Sequence, residues 1–560
     1  MRGLGCLLAA AAGTACAAGS PPELVTAASA ERAGLPCGTE PGAARDALAL
    51  HEYWRQASPP PVAGADFDDG HVAVLHDRGD LVVRRNLFDL AGASVRLAPN
   101  GAVGYDLAPL AVPLEAPGTS LDIATGSSQA VALPFRFPFF GASYDRVFVN
   151  ADGNLTFGAA DDVSGERGLA RFLAGPPRIA AFFAPLDPSR GGVVSASLRA
   201  DRAAFLWSQV PGGGQINRNS FAVALEPGGT IDLIYGSEIQ TREALVGVSP
   251  GGTAGLTVAD LSAARPPGST GALAERFSET EKVDLVSVSR RFLSRHPDLF
   301  EQIVVYTTRP LNPVPGSLAF EINVRNDVQG IGVETGFDQS APWGSEGALA
   351  SIAYMDAIDQ YLEVDGFEIL AHEVGHRWLA RLRFRDASGR PRDSLLGRGL
   401  VHWSFFLNSE ASVLEGNEIT DHGGGRFETV DIARRYSALD QYAMGLRLPE
   451  EVPPFFFVDE PDNFRPNRAF KFSSPPEAGI SFTGVRRDVR IEDVIAGMGP
   501  RVPDATRAPR RLRQAFVLVA DEQAPATVGR REALARIRSR FEPFYREATS
   551  GRGTVDSTLP

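Results

Sequence analysis

The sequence predicts a multidomain chain in which an all-β N-terminal region precedes an α+β domain. Two observations carry this prediction. Short alternating apolar runs, separated by Gly, Asp and Asn, continue from His71 to about residue 262. After a Pro- and Gly-rich stretch, longer helical and strand patterns alternate, and one helical pattern contains His372-Glu373-Val374-Gly375-His376. A chain of 560 residues is long enough for two to four domains.

Charge and hydropathy exclude two classes of partner. The formal net charge is −13, and phosphate backbones are bound by basic surfaces, so we expect no nucleic-acid partner. Beyond the N-terminus no apolar run approaches the roughly 18 residues of a membrane-spanning helix. We therefore expect no membrane span.

The N-terminal residues have the pattern of a secretory signal peptide. One basic residue precedes the apolar run Leu7–Ala12, and Ala15-Cys16-Ala17 offers a cleavage site after Ala17. Residues 1–17 are the predicted signal, and the protein is expected to be secreted. Lipoprotein anchoring at Cys16 is the alternative, which Gly13 disfavours because a Leu-like residue is expected there.

Signal cleavage would leave Cys37 as the one remaining cysteine of the chain. A lone thiol in an exported protein needs a partner, and thiolate is a strong zinc ligand. Pro36-Cys37-Gly38 resembles the switch segment with which some zinc peptidases block their own metal. The hypothesis is a latch, and the alternative is an inert buried cysteine.

Residues 18–119 are interpreted as an N-terminal helix, at about Ala43–Gln56, followed by a β-rich segment, with a removable propeptide as an alternative. Residues 120–262 continue all-β. Phe135, Phe137 and Phe139 alternate before a Phe-Gly turn, and Asn150–Asn154 makes a second turn. This order of strands and turns resembles the extracellular nidogen-like domain. The resemblance implies a sandwich-type β module with a matrix or cell-surface partner and without catalytic residues of its own.

Residues 263–275 are predicted to be a linker, 276–548 an α+β domain and 549–560 a disordered tail. Within the α+β domain the apolar spacing predicts four helices and two strands. Pro543 is expected to end or kink the last helix. The predicted helices are Lys282–Arg295, Ala348–Tyr361, about Gly366–Arg383 and Arg530–Phe541, and the strands are Gln302–Thr308 and Leu318–Val324.

The His-Glu-x-x-His pattern predicts a zinc site with its own base. His372 and His376 are four residues apart, so they lie on one face of a helix, and neutral imidazoles bind Zn²⁺. Glu373 is placed to take a proton from an attacking water. Asp365 and Glu368 read as a capping box for this helix. A core-facing stripe is predicted on its other face, at Phe367, Leu370, Val374 and Trp378.

A catalytic zinc needs a third protein ligand, and the sequence leaves its identity open. His402, in an aromatic setting 26 residues after His376, is favoured, with Asp440 and Glu410 as alternatives. Glu415 and His422 are further candidates, of which His422 is expected to be solvated in a Gly-rich loop.

Residues 284–446 resemble the secreted zincin metallopeptidases distantly related to the immune-inhibitor-A group. The ordering that carries the resemblance is the active-site helix, then a turn at Ser412–Asn417, then the Ser437–Gly445 pattern. It implies a third ligand before the turn, as His402 would be. Arg377 departs from the pattern, since these helices usually carry an uncharged residue there, and no metzincin-type third histidine follows His376.

The function expected from these features is that of a secreted zinc metalloendopeptidase acting on protein or peptide substrates. Glu373 would be the general base, His372, His376 and His402 the metal ligands, and Tyr442 a candidate for stabilising the oxyanion. The alternative is a non-catalytic extracellular binding protein with a degenerate zincin domain. Serine chemistry lacks a Gly-x-Ser-x-Gly elbow.

Overall fold

The computed structural model of the chain describes residues 41–57, 66–101, 103–161, 167–212, 216–253, 255–264, 268–311, 319–462 and 469–560. The predicted signal peptide at 1–17 and the proposed latch Cys37 lie outside the described residues. Across the described ranges, no helix combines the length and apolarity that crossing a bilayer requires.

Within those ranges the strands that build the four larger sheets are numbered in chain order. They are β1 Phe67–Asp69, β2 Val72–His76, β3 Ser94–Pro99, β4 Tyr105–Leu110, β5 Thr119–Ser120, β6 Ser128–Phe139, β7 Ala142–Asn150, β8 Asn154–Thr156, β9 Arg178–Phe183, β10 Val193–Arg199, β11 Arg202–Val210, β12 Asn219–Leu225, β13 Ile231–Ile239, β14 Ala244–Ser249, β15 Leu256–Val258, β16 Ala272–Phe277, β17 Gln302–Thr307, β18 Phe320–Asn323, β19 Ser351–Ala357, β20 Asn417–Asp421, β21 Arg426–Ile432, β22 Phe455–Asp462, β23 Ser481–Val489, β24 Arg511–Ala520 and β25 Thr554–Asp556.

The α-helices of the described residues are numbered in the same way. They are α1 Pro41–Ala57, α2 Leu169–Ala174, α3 Leu285–Leu293, α4 Phe367–Gly375, α5 Ala438–Met444, α6 Ile491–Met498 and α7 Val528–Ala548.

The chain divides into two compact units. Among the described residues, the β-rich unit comprises 45–57 and 82–282, and the mixed unit comprises 41–44, 66–81 and 283–560. The predicted segment 18–119 is therefore divided between them. The reason is strand pairing, because β2 pairs with β24 of the mixed unit whereas β3 pairs with β13 of the β-rich unit.

The β-rich unit is a sandwich of two seven-stranded sheets, ordered β15-β16-β14-β9-β8-β7-β6 and β4-β3-β13-β12-β11-β10-β5. Their inner faces share one apolar core. Phe182 of the first sheet lies 5.2 Å, between ring centroids, from Phe221 of the second. The predicted linker 263–275 is wrong at its C-terminal end, since Ala272–Phe277 forms β16 and pairs with β14.

The alternation predicted around Phe135, Phe137 and Phe139 is confirmed. Every second residue of β6 from Val131 to Phe139 faces inward, with Phe135 half-buried and the others buried. The predicted turn at Asn150–Asn154 joins β7 to β8, and Gly153 there has φ +78°. A Cβ at this glycine would lie 2.1 Å from the Phe182 carbonyl oxygen, so the close approach of β9 requires glycine.

A buried ionic network lies in the same sandwich. Asp161 pairs with Arg178 at 2.5 Å and with Arg171 at 2.9 Å, and Arg167 and Arg171 pair with Asp152. Burial alone would raise the pKa of Asp161, but Arg178 and Arg171 outweigh burial and hold that pKa below its usual value. Three arginines thus face two aspartates, and removing one partner of such a buried pair is strongly destabilising.

Asp161→Asn is expected to destabilise the β-rich unit by about 3 kcal/mol, since it leaves the fully buried Arg178 guanidinium without its ion-pair partner. In differential scanning calorimetry this corresponds to a Tm lower by roughly 5–10 °C. The matched control is Asp201→Asn, whose side chain is 88% exposed and 4.0 Å from Arg199. That variant should unfold like the parent, and equal Tm shifts for the two variants would contradict the assignment.

The mixed unit is built on a sheet ordered β1-β2-β24-β17-β19-β18, with β25 paired to β24. Strands β2, β24, β17 and β19 run parallel, whereas β18 is an antiparallel edge strand. Helix α4, which carries the His-Glu-x-x-His pattern, packs against β19, β18 and α7. A separate antiparallel sheet, ordered β20-β21-β23-β22, completes the unit around a second apolar cluster rich in phenylalanine.

Three local predictions for the mixed unit are wrong. Ala348–Tyr361 is not a helix, because Ser351–Ala357 is buried at every position and pairs on both sides as β19. Helix α7 does not end at about Phe541 as predicted but continues through Pro543 to Ala548. The predicted disordered tail 549–560 contains β25, whose pairing with β24 orders it.

Candidate metal centre

Helix α4 is shorter than predicted and begins differently. It runs from Phe367 to Gly375, with Gly366 as its N-cap in the left-handed region (φ +60°) and no side-chain cap. The predicted capping box is therefore wrong. Asp365 instead pairs with Arg536 and Arg540 of α7, which fixes the start of α4 against that helix.

The other face of α4 enters the core as predicted. Leu370 and Val374 are fully buried, Trp378 is 8% exposed and Phe367 packs at the edge of the same apolar cluster. Gly375 lets the Ser412–Asn417 turn approach, since a Cβ there would lie 2.9 Å from Leu414 Cδ2. This packing places the turn beneath the histidine face of the helix.

Three histidines converge above this turn. His372 and His376 come from α4 and its C-cap, and His402 follows a short 3₁₀ turn at Arg398–Leu400. The Nε2 atom of His372 lies 3.0 Å from His376 Nε2 and 3.2 Å from His402 Nε2. These residues are 5%, 0% and 0% exposed, so all three histidines are buried.

Backbone carbonyls fix the orientation of each imidazole. The Nδ1 atoms of His372, His376 and His402 lie 2.8, 3.3 and 2.8 Å from the carbonyl oxygens of Val413, Leu379 and Arg398, respectively. A carbonyl only accepts, so Nδ1 carries the proton and the Nε2 lone pairs converge on one point. Burial lowers the pKa of all three imidazoles and favours their neutral, metal-binding form.

The residues present fit a zinc ion. Tetrahedral bonds of about 2.0–2.1 Å place neighbouring donor atoms about 3.3 Å apart. The measured separations of 3.0 and 3.2 Å are close to that spacing. Among the described residues, the group of His, Cys, Asp and Glu side chains close enough to hold one metal ion consists of these three histidines.

Glu373 is completely buried, and neither of its carboxylate oxygens has a hydrogen-bond partner among the described residues. Burial raises its pKa to about 8, with Glu415 raising it and Arg398 lowering it. Burial also raises the pKa of Glu321, on edge strand β18, with the Glu373 carboxyl adding to the shift. Orphaned carboxylate oxygens this deep are expected where a reactant or ion completes the site.

An arginine–glutamate pair adjoins the histidines. Arg398 Nη2 lies 2.5 Å from Glu415 Oε1 and 2.9 Å from His402 Nε2, the atom that a metal would require. Glu415 Oε1 is 3.9 Å from the same Nε2. Glu415 was a sequence candidate for a ligand, but Arg398 was not anticipated, because its position four residues before His402 has no motif attached to it.

The alternative third ligands are engaged elsewhere. Asp440 caps α5 through Ser437 and accepts a hydrogen bond from Trp403 Nε1 at 2.8 Å. Glu410 accepts from the Ala438 backbone N–H at 3.3 Å.

The Tyr442 hydroxyl, the candidate for oxyanion stabilisation, accepts from the Arg501 backbone N–H at 3.0 Å. His422 is half-exposed beside Glu428, as expected for a solvated residue.

Comparison with known proteins bears on the β-rich unit. A family model described as NIDO related, that is nidogen-related, matches residues 110–284. This range contains the predicted nidogen-like segment 120–262 and extends beyond it at both ends. No curated protein matches the chain. No solved structure matches it either. Residues 110–284 are thus similar to nidogen-related domains, and this similarity suggests an extracellular location.

Proposed function

We propose that the protein is a secreted zinc-dependent metalloendopeptidase. The observation that carries the proposal is the convergence of three Nε2 atoms beside a buried carboxylate that has no hydrogen-bond partner within the described part of the chain. His372, His376 and His402 would hold the metal, and Glu373 would act as the base. The substrate would be a protein or peptide, and the nidogen-related domain would engage a matrix or cell-surface partner.

When bound, zinc would act as a Lewis acid on the scissile carbonyl and would lower the pKa of the attacking water towards neutrality. The chain's own residues would orient the ligands and move the proton. Three backbone carbonyls hold the imidazoles with Nε2 unprotonated. A Glu373 carboxylate oxygen takes the proton of the attacking water and returns it to the leaving amine. A dication nearby would lower the Glu373 pKa from its metal-free value, which favours the basic form.

A second candidate function is non-catalytic binding in the extracellular space through the nidogen-related domain. The family match at residues 110–284 favours it for that part of the chain. The intact Glu373 favours catalysis for the mixed unit, because a domain retained only for binding has no use for a buried base. The two functions are compatible in one chain.

The experiment that tests the proposal is hydrolysis of casein by the purified secreted chain, before and after treatment with a chelator. We expect hydrolysis that the chelator abolishes and that one equivalent of zinc restores. Hydrolysis that persists in the chelated protein would contradict the proposal. Absence of hydrolysis from the zinc-loaded chain, in full-length form and after any natural processing, would favour the binding function.

The Arg398–Glu415 pair should set the zinc affinity. Arg398→Met removes a cation that lies 2.9 Å from His402 Nε2 and leaves the Glu415 carboxylate near the site. Glu415→Gln removes the carboxylate and leaves the Arg398 cation near the site. At such distances charge interactions are worth several kcal/mol, so we expect Arg398→Met to tighten zinc binding about tenfold or more and Glu415→Gln to weaken it. Competition with a chromophoric chelator measures the zinc affinity of both variants. A change of zinc affinity in the same direction for both would contradict the electrostatic account.

A further inference from the structure

A cavity lined by arginines lies beyond the C-terminal end of α4. A cavity of about 170 Å³ opens there between the end of α4, the start of β24 and α7. Five cationic side chains line it against two carboxylates. The cations are Arg325, Arg377, Arg501, Arg510 and Arg511, and the carboxylates are Glu301 and Asp327.

Arg377 is the residue that departs from the usual pattern of zinc-peptidase helices, and it faces this cavity. Its side chain is 12% exposed and its guanidinium lies 4.7 Å from the Trp378 ring centroid. Its Nη1 atom is 3.5 Å from Glu301 Oε1, without hydrogen-bond geometry, and has no hydrogen-bond partner among the described residues. A buried guanidinium N–H left in this state costs free energy that an acceptor in the cavity would offset.

Two further guanidinium groups share the cavity. Arg501 is 5% exposed and donates from Nε to the Ala443 carbonyl oxygen at 2.8 Å. Burial lowers its pKa to about 10, and the Arg377 cation contributes in the same direction. Arg325 has a buried Nε atom that also lacks a hydrogen-bond partner in the described structure. Arg325 Nη1 lies 3.2 Å from Asp327 and Arg511 pairs with Asp556, so the remaining lining cations, Arg377, Arg501 and Arg510, face one remaining lining carboxylate, Glu301.

We propose that this cavity binds a small oxyanion, a phosphate, sulfate or short carboxylate, between Arg377, Arg501 and Arg325. Guanidinium groups present planar pairs of donors that match such anions. The volume is below the roughly 300–1,000 Å³ of pockets for drug-sized ligands, which selects a small anion. The site is independent of the peptidase proposal, although Arg377 follows the candidate ligand His376 directly.

Binding is tested on the full-length chain after metal removal and dialysis, so that no anion binds through a metal. Phosphate, sulfate and succinate are titrated separately at constant ionic strength, with calorimetric affinity and Tm as readouts. We expect saturable binding and a rise in Tm for at least one of them, and the anion that binds assigns the class as tetrahedral or carboxylate. Arg377→Gln and Arg325→Gln should each weaken that binding about tenfold or more.

The matched control is Arg487→Gln in the same unit, whose side chain is 52% exposed and pairs with Asp459. It should bind the anion like the parent. Arg501→Gln removes a more deeply buried guanidinium, and it should also weaken anion binding if circular dichroism shows that the variant folds. If this variant does not fold, Arg377→Gln and Arg325→Gln decide whether the anion site exists. No saturable binding by the parent, unchanged affinity in Arg377→Gln, or an equal loss in Arg487→Gln would overturn the proposal.

Discussion

Glu373→Gln should retain zinc and lose hydrolysis by roughly 10²–10⁴-fold, the range expected when a general base is removed. The exchange keeps the shape of a side chain that is fully buried and whose carboxylate oxygens have no partner among the described residues. It removes the basic oxygen and the negative charge of the ionised carboxyl while keeping the size of the side chain. Zinc content measured by mass spectrometry and casein hydrolysis measured on the same preparation check the two halves of this expectation.

The matched control for this variant is Glu410→Gln, which alters a carboxylate that accepts from the Ala438 backbone N–H. It should keep both metal and activity. Hydrolysis by Glu373→Gln at the parental rate would exclude Glu373 as the base. Loss of zinc from Glu373→Gln would show instead that this carboxylate helps to hold the metal.

His402→Ala should lose zinc as completely as His376→Ala does. Its Nε2 atom lies 3.2 Å from His372 Nε2, and its ring is fully buried with Nδ1 held by the Arg398 carbonyl. Removing a ligand should cost more affinity than the roughly 10–100-fold typical of removing a hydrogen-bond partner of a ligand. Competition with a chromophoric chelator measures the loss without reference to activity.

Asp440→Asn is the control for the third ligand, since it preserves an acceptor for Trp403 Nε1 and tests the main alternative. We expect this variant to bind zinc like the parent. Should Asp440→Asn lose the metal while His402→Ala retains it, the assignment of the third ligand would be wrong.

The parts of the site that the sequence predicts are those set by local spacing. Two histidines four residues apart share a helical face in any α-helix, so His372, Glu373 and His376 need no tertiary information. His402 depends on how the chain between residues 376 and 402 folds, so the motif order favoured it but left Asp440 and Glu410 open. The structure brings His402 to the other two histidines, whereas zinc binding itself stays a prediction.

The features that the sequence did not predict depend on tertiary pairing. Ser351–Ala357 has an apolar pattern that suits a helix or a strand, and its place between β17 and β18 makes it a strand. Arg398 forms its ion pair beside the histidine cluster because the Ser412–Asn417 turn brings Glu415 to it. The alternation in β6 was predictable, because a period of two is a local property of a strand with one buried face.

The pairing of β2 with β24 also changes how the β-rich half should be removed in an experiment. A truncation before Ser262 would delete β1 and β2, which belong to the sheet of the mixed unit. Such a fragment would lose two strands of that sheet along with the nidogen-related domain. Deletion of both residues 45–60 and residues 82–282 follows the boundaries of the two compact units and is the appropriate form for asking whether the β-rich unit restrains activity.

Zinc content per chain is the measurement that tests the central claim most directly. The full-length protein, expressed with zinc and dialysed, should contain one zinc ion per chain by mass spectrometry. A variant with His372, His376 and His402 all changed to Ala should contain none. A parent that remains metal-free after zinc supplementation, or a triple variant that holds as much zinc as the parent, would contradict the account.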